Sequence, residues 1–188
     1  MIEVEIKLPI YKSSRTEAAL RELRFHPGNL IRESDIYFTS DTHDFMKADE
    51  ALRIRQSENL TSKEFLSILT FKGPKLDSVS MTRQELETKV SDAEACSEIL
   101  CSLGYRKLAP VVKLRQYYHR DDVTACVDLV ENLGAFLELE ILVEEDAPAA
   151  KETALKKIEA ILHDLGYSMK DTTRYSYLFM LQKKDLFC

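Results

Sequence analysis

The 188-residue sequence lacks three features that would each assign it to a class at once. No run approaches the roughly 20 apolar residues that a membrane span requires, and no basic region followed by an apolar stretch opens the chain. The four cysteines show no CxxC spacing, which favours reduced, structural thiols. No GxxxxGKS or GxxxxGKT motif occurs, so a P-loop is excluded. We therefore expect a cytoplasmic protein without membrane contact, with a single domain over 1–188 and a flexible tail from about 182 to 188.

The sequence also lacks an excess of positive charge. Its formal net charge is −6 at pH 7, whereas nucleic-acid binders usually carry a basic excess on one face. The composition therefore argues against a nucleic acid as partner. A phosphate ligand would instead need a local cluster of cations.

Helix signals occur at regular intervals along the chain. Apolar spacing predicts three helices, and the closing RYSYLFMLQKK is interpreted as a short fourth one. Ser13 or Ser14 is expected to cap the first helix, and Ser91 with Glu94 has capping-box spacing at the start of the second. The three longer helices are predicted at about 13–24, 91–103 and 149–165.

Eight segments between and around these helices predict strands, because they are rich in alternating, β-branched or aromatic residues. Most connections between them look too short for crossovers, so the sheet is expected to be largely antiparallel. The strands are predicted at about 1–9, 30–40, 51–58, 65–73, 80–90, 111–120, 122–130 and 135–144.

Nearly every predicted strand carries charges on one face and apolar residues on the other, because successive side chains of a strand point in opposite directions. Such faces are most often solvated, so a plain antiparallel scaffold stays open. The charge types favour a ligand: acids and bases are equal in number, and Arg, whose planar fork fits phosphate oxygens, is the favoured cation. The acids are Glu3, Glu5, Glu85, Glu87, Asp128, Glu138 and Glu140, and the bases are Lys7, Arg53, Arg55, Lys72, Arg83, Lys113 and Arg115.

The number of strands indicates where these charged faces could point. Eight strands close a barrel just wide enough for side chains or one small ligand. If the charges point inward, the outward apolar faces need the cover that amphipathic helices provide. Fourteen charges would be costly in a dry interior, but water, metal ions and a polyanion would satisfy them. The predicted fold is α+β: a closed eight-stranded antiparallel barrel, forming a tunnel with a charged interior and covered by helices.

Taken in order, these residues resemble the CYTH superfamily, or triphosphate tunnel metalloenzymes, which includes class IV adenylyl cyclases and thiamine triphosphatases. The resemblance covers nearly the whole chain. Its motifs are the ExExK of Glu3, Glu5 and Lys7; Asp35-Ile36-Tyr37-Phe38; DEALRIR with Arg53 and Arg55; TFKGPK with Lys72 and Lys75; the RxExE of Arg83, Glu85 and Glu87; the KxR of Lys113 and Arg115; Asp128; the ELE of Glu138 and Glu140; and Ser176-Tyr177-Leu178.

The resemblance implies a tunnel enzyme that acts on a triphosphate with Mg²⁺ or Mn²⁺, which take oxygen ligands. By that likeness Glu3, Glu5, Glu138 and Glu140 are the expected metal ligands. The phosphate-binding residues are expected to be Lys7, Arg53, Arg55, Lys72, Arg83, Lys113 and Arg115. Glu85, Glu87 and Asp128 are the candidates for catalysis, for a second metal or for orienting the cations. A homodimer is compatible with the resemblance.

The expected reaction is that of a class IV adenylyl cyclase, in which the ribose 3′-hydroxyl of ATP attacks the α-phosphorus and pyrophosphate leaves. A triphosphatase, acting on inorganic tripolyphosphate, thiamine triphosphate or a nucleoside triphosphate, is the alternative. The absence of Trp removes one way to stack a thiamine ring. A binding module for nucleotides or polyphosphate, without catalysis, is a third hypothesis of another class.

Overall fold

The computed structural model describes residues 2–144 and 148–183 and divides them into nine strands and four α-helices, with a 3₁₀ turn at Met169–Asp171. The strands are β1 (Ile2–Ile10), β2 (His26–Thr39), β3 (Ala51–Asn59), β4 (Phe65–Lys75), β5 (Arg83–Lys89), β6 (Arg106–Lys107), β7 (Val111–Arg120), β8 (Val123–Val130) and β9 (Gly134–Val143). The helices are α1 (Ser13–Glu22), α2 (Ala93–Ser102), α3 (Pro148–Asp164) and α4 (Tyr177–Gln182).

Eight of the described strands form one closed antiparallel barrel. Their order is β3-β4-β5-β1-β9-β8-β7-β2, and pairing between β2 and β3 closes the ring. The predicted α+β fold with an eight-stranded antiparallel barrel is therefore confirmed. The short β6 pairs with the end of β2 at Phe38 and Thr39, beyond the β2–β7 ladder. Two residues are too few to show alternation, so β6 could not be predicted from the sequence.

The apolar core lies outside the barrel wall. Val4, Ile6 and Leu8 of β1 are at most 1% exposed and belong to the same buried cluster as Ile158 and Leu162 of α3. Alternation then points the charged residues of the same strand inward. Helices α1 and α3 thus cover the outer face of the barrel, and the charged residues line its interior.

The helix starts differ from the predicted caps. Asp92, and not Ser91, caps α2, because its side chain accepts hydrogen bonds from the backbone N–H groups of Glu94 and Ala95. The N-cap position of α1 is Lys12, whose side chain makes no capping bond, so Ser13 opens the helix itself. The predicted fourth helix is present as α4, capped by Ser176.

Strand ends also shift by a few residues. β2 begins at His26 instead of about 30, since a bulge between Pro27 and Leu30 lets its pairing with β7 continue. β5 begins at Arg83 instead of about 80. Of the predicted tail, Gln182 still belongs to α4, and residues 184–188 lie outside the described residues. None of the described helices is long and apolar enough to span a membrane.

Candidate functional site

The barrel encloses a cavity of about 510 Å³ with a balanced charged lining. Every predicted site residue lines it except Asp128, which is fully buried behind Lys113 and Arg115. The acidic lining residues are Glu3, Glu5, Asp35, Asp49, Glu50, Glu85, Glu87, Glu138 and Glu140. The basic ones are Lys7, Arg53, Arg55, Lys72, Lys75, Arg83, Lys113, Arg115 and Arg174.

Asp35 organises the two arginines of β3. It lies directly opposite Arg55 in the β2–β3 ladder. The Arg55 fork donates to both Asp35 oxygens at 2.7 and 2.8 Å, and Arg53 Nη1 donates to Oδ2 at 3.1 Å. Burial opposes ionisation of Asp35, but Arg55 and Arg53 outweigh it and hold its pKa well below the usual range. The two guanidinium groups are therefore fixed across the strand pair.

Asp128 does the same for the cations of β7. It lies opposite Arg115 in the β7–β8 ladder and accepts from that side chain at 2.7 and 2.6 Å. Lys113 Nζ donates to it at 3.1 Å and the Tyr177 hydroxyl at 3.0 Å. Lys113 also lies 3.3 Å from Glu33, which links this group to β2.

Lys7 and Glu138 face each other on β1 and β9. Lys7 Nζ lies 3.0 Å from Glu138 and 3.2 Å from Glu5, and Arg115 donates to the other Glu138 oxygen. Burial lowers the pKa of Lys7, but Glu138 and Glu5 raise it above its ordinary value. Burial favours the neutral form of Glu138, yet Arg115 and Lys7 hold the pKa of that carboxyl well below its usual range.

Two carboxylates of the same two strands, Glu3 and Glu140, have little positive charge beside them. Among the described residues no cation lies within 4.0 Å of Glu3, and the nearest to Glu140 is Arg115 at 3.6 Å. Burial and then Glu5 raise the pKa of Glu3 to about 7, and burial and then Glu3 raise that of Glu140 well above its usual range. Glu5 Oε1 is buried and, despite Lys7 nearby, makes no hydrogen bond. No three of the described acids lie close enough together to hold a metal ion in this arrangement of side chains.

On the β4–β5 side of the cavity, the charged side chains already have partners within the protein. Lys72 pairs with Glu85, and Thr70 donates to Glu87 at 2.8 Å. Arg83 Nη1 donates to the carbonyls of Asp49 and Gly73 at 3.2 and 3.1 Å, so this nitrogen is already engaged by backbone outside β5.

Several lining or supporting residues are not among the predicted site residues. Asp35 is named only as part of a motif and Glu33 not at all, although with Tyr37 they alternate along β2 like the other charged faces. Asp49 comes from a loop and Arg174 from the C-terminal segment, where no alternation marks an inward side chain.

The lining also has an apolar part. Tyr37, Ala51 and Tyr117 contribute to it from strands, but most of it comes from the loops before β3 and β5 and from the C-terminal segment. These loops and this segment contribute Met46, Met81, Tyr175, Leu178 and Phe179, and the rings of Tyr175 and Phe179 stack with centroids 4.7 Å apart.

The fold and the site define a closed antiparallel tunnel protein whose interior carries paired acids and bases. The chain belongs to the CYTH family, since residues 1–177 match the model of the CYTH domain.

Individual relatives support the same assignment. A Methanocaldococcus jannaschii protein named "Putative adenylate cyclase" is 38% identical over 178 residues, covering 95% of this chain and 97% of that protein. The solved structure of a Pyrococcus horikoshii protein superposes with a TM-score of 0.87 at 37% identity, covering 97% and 99% of the two chains. A Hippeastrum adenylyl cyclase homologue, described with a dominant triphosphatase activity, shares the fold at a TM-score of 0.69 and 18% identity, covering 97% and 95%.

Proposed function

We propose that this chain is a divalent-metal-dependent enzyme that binds a triphosphate in its barrel and converts ATP into cyclic AMP and pyrophosphate. One observation carries the proposal: two buried polar atoms of the same cavity make no hydrogen bond. Arg53 Nε has no hydrogen-bond partner among the described residues, and Glu5 Oε1 has only an ion-pair contact with Lys7 Nζ at 3.2 Å that lacks hydrogen-bond geometry. A buried group of this kind is costly unless a ligand satisfies it. An anion would satisfy the donor, and a cation would satisfy the acceptor.

Phosphate oxygens suit the cationic part of the lining. Arg53 and Arg55 on β3 and Lys113 and Arg115 on β7 are held in place by Asp35 and Asp128, and Lys7 by Glu138. Fixed cations favour binding because a ligand does not have to order them. They also neutralise charge that develops on phosphoryl oxygens during transfer.

A divalent cation suits the acidic part. Glu3, Glu5 and Glu140 supply carboxylate oxygens, the ligands that Mg²⁺ and Mn²⁺ require, and burial with neighbouring acids raises the pKa of Glu3 and of Glu140 because the described cations do not fully compensate them. Glu138, the fourth predicted ligand, would contribute an oxygen only by sharing it with Lys7 or Arg115. When bound, the metal ion supplies charge neutralisation and polarises a phosphoryl oxygen.

The candidates for catalysis are in different situations. Asp128 already accepts from Lys113, Arg115 and Tyr177, so we assign it the orientation of cations instead of proton transfer. Glu85 is paired with Lys72. Glu87 accepts only one described hydrogen bond, from Thr70, and has capacity left to accept a proton from an attacking hydroxyl.

The apolar part of the lining favours ATP over inorganic tripolyphosphate. Met46, Met81 and the stacked Tyr175 and Phe179 give an organic group a surface that a bare phosphate chain does not need. The name of the Methanocaldococcus relative agrees with this choice. Triphosphate hydrolysis is the second candidate, because the same fold is described with that activity in the Hippeastrum protein.

The decisive experiment is a substrate panel. The protein is incubated with Mg²⁺ or Mn²⁺ and with ATP, tripolyphosphate or thiamine triphosphate, and the products are separated by ion-exchange chromatography. Cyclic AMP with pyrophosphate supports the cyclase, whereas orthophosphate release from any of the three identifies a triphosphatase.

Two variants separate catalysis from simple binding. Glu5→Gln keeps the shape of the side chain but removes its charge, so turnover is expected to fall about 100-fold or more. Glu152→Gln, on the exposed face of α3, is the matched control and keeps full activity. Binding without any product in wild type would support the binding module and overturn the enzyme.

A further inference from the structure

Tyr177, the first residue of α4, brings an aromatic ring among the buried charges. Its side chain is 6% exposed although it belongs to the C-terminal segment and not to a barrel strand. Lys7 Nζ lies 4.4 Å from its ring centroid and Lys113 Nζ 5.3 Å from it. Phe136 supports the ring edge-on at 5.0 Å. Two cations that we place at the phosphates therefore share one ring.

The hydroxyl of Tyr177 has an equally specific partner. It donates at 3.0 Å to Asp128 Oδ2, the oxygen that also accepts from Lys113 and Arg115. Burial, and then Glu138 and Asp128, raise the pKa of Tyr177 well above its ordinary value. The phenol therefore stays protonated and remains a donor at neutral pH.

Backbone pairing alone does not set the distance between the two ammonium groups. Lys7 lies on β1 and Lys113 on β7, and β9 and β8 separate these strands in the barrel. Each ammonium sits on a flexible four-carbon stem. Tyr177 belongs to α4 and not to either strand, lines the same cavity, and contacts both ammonium groups, so it is a common support for them.

We propose that Tyr177 is a positioning residue, whose ring holds the ammonium groups of Lys7 and Lys113 where they meet the phosphate chain. The inference rests on the proposed function, since that function gives the two lysines their role. The face of an aromatic ring attracts a cation without accepting its N–H groups in the way a carboxylate does. Lys7 already contacts Glu138 and Glu5, and Lys113 contacts Asp128 and Glu33, so the ring holds each ammonium without using its remaining N–H donor, which stays available for a phosphate oxygen. The hydroxyl keeps Asp128 aligned with the same cluster.

The test separates the ring from the hydroxyl. Tyr177→Phe keeps the ring, and Tyr177→Leu removes both. For the best substrate of the panel, Tyr177→Leu is expected to raise KM about 10-fold with little change in kcat, because the lost support affects ground-state and transition-state binding alike. Tyr177→Phe is expected to keep KM within about 3-fold of wild type, since only the bond to Asp128 is lost.

Tyr118→Leu is the matched control. Tyr118 is also fully buried and also bonds a carboxylate, that of Glu17 at 2.9 Å, but it packs in the cluster outside the barrel. Its loss lowers stability without moving KM. Thermal melts of all three variants establish that each one is folded at the assay temperature.

A second readout needs no substrate. The acetylation rates of Lys7 and Lys113 by acetic anhydride are measured by mass spectrometry. Both are expected to react several-fold faster in Tyr177→Leu, but at wild-type rates in Tyr177→Phe and Tyr118→Leu. Wild-type labelling and wild-type KM in Tyr177→Leu would overturn the inference, as would a Phe variant as impaired as the Leu variant. If wild type turns over nothing, the proposed function fails and the labelling result alone decides the role of Tyr177.

Discussion

Asp35 and Asp128 have the same role in two strand pairs, since each compensates the charge of two buried cations. Asp35 lies directly opposite Arg55 on β3 and also binds Arg53, two residues earlier. Asp128 lies directly opposite Arg115 on β7 and also binds Lys113, two residues earlier. Isolated buried charges cost several kcal/mol, and only a close partner with good geometry offsets that cost. The cations of the cavity can therefore remain charged and buried before any phosphate arrives.

This arrangement predicts a large effect from a small change at Asp35. Asp35→Asn keeps the size of the side chain but leaves Arg53 and Arg55 without their shared charge, so the free energy of unfolding is expected to fall by about 3 kcal/mol or more. Urea denaturation at pH 7 measures it. Asp44→Asn, at an exposed Asp paired with Lys47, is the control and is expected to leave stability nearly unchanged. Equal losses in the two variants would contradict the prediction.

At the scale of secondary structure, β1 and β9 form the wall where carboxylates exceed cations. Glu5 lies opposite Glu140 in their ladder, and Glu3 follows on the same face of β1. The pairing is fixed by the apolar side chains of the same strands, which are buried against α1 and α3 on the outside. Packing outside the barrel thus forces acidic side chains together inside it.

The raised pKa of Glu3 makes stability depend on pH. Its pKa is about 7 in the folded protein against 4.5 ordinarily, so the folded state holds the proton more tightly. Glu3 therefore lowers stability progressively as pH rises from about 4.5 to 7, and lowers it fully above 7. Glu3→Gln removes this cost and is expected to stabilise the protein by about 1–3 kcal/mol at pH 8, but hardly at pH 4.5.

Urea unfolding in EDTA at the two pH values measures this difference. Added Mg²⁺ is expected to shrink the advantage of the variant at pH 8, because a bound cation would favour the charged carboxylate of wild type. The same advantage at both pH values would show that Glu3 does not titrate as described.

Among the described neighbouring strands of the barrel, β1 and β5 share the fewest paired residues. Only Glu3 and Arg83 are paired in register there, with one further bond from the Met81 N–H to the Glu5 carbonyl at 3.0 Å. By contrast, every residue of β1 has a partner in β9. The amide of Met81 is therefore expected to exchange with deuterium faster than the amides of the β1–β9 ladder, as NMR or mass spectrometry would show. Equal protection from exchange on both sides of β1 would show that its contact with β5 is as stable as its contact with β9.

The sequence predicts the strands and most inward residues because alternation is a local signal. That signal places Lys7, Arg55 and Glu138 on the charged faces of their strands, and the count of eight strands together with the balance of acids and bases favours a closed barrel in which those faces point inward. It could not reveal β6, which is too short to alternate, or the Asp92 cap, which competes with an adjacent Ser. Partner choice is also non-local: that Asp128 binds Lys113, Arg115 and Tyr177 together depends on strand register and on the path of the C-terminal segment.

For the whole molecule, the distribution of charge separates the cavity from the rest of the chain. The lining has equal numbers of acids and bases, so the net charge of −6 is carried outside it. A general attraction for polyanions is therefore not expected from the surface. Binding of a triphosphate has to come from the fixed cations within the barrel, which favour a short phosphate chain over a long polymer.

Tripolyphosphate with Mg²⁺ is therefore expected to stabilise the whole protein. At about 100 times its dissociation constant a ligand adds about 2.7 kcal/mol, which corresponds to a rise in Tm of roughly 5–10 °C for a domain of this size. Arg53→Met is expected to lose most of this rise, since it removes the unpartnered donor, whereas Arg106→Met on the exposed β6 keeps it. Differential scanning fluorimetry against orthophosphate at equal ionic strength measures the difference. A rise that is the same for orthophosphate, or unchanged in Arg53→Met, would mean that the anion binds elsewhere.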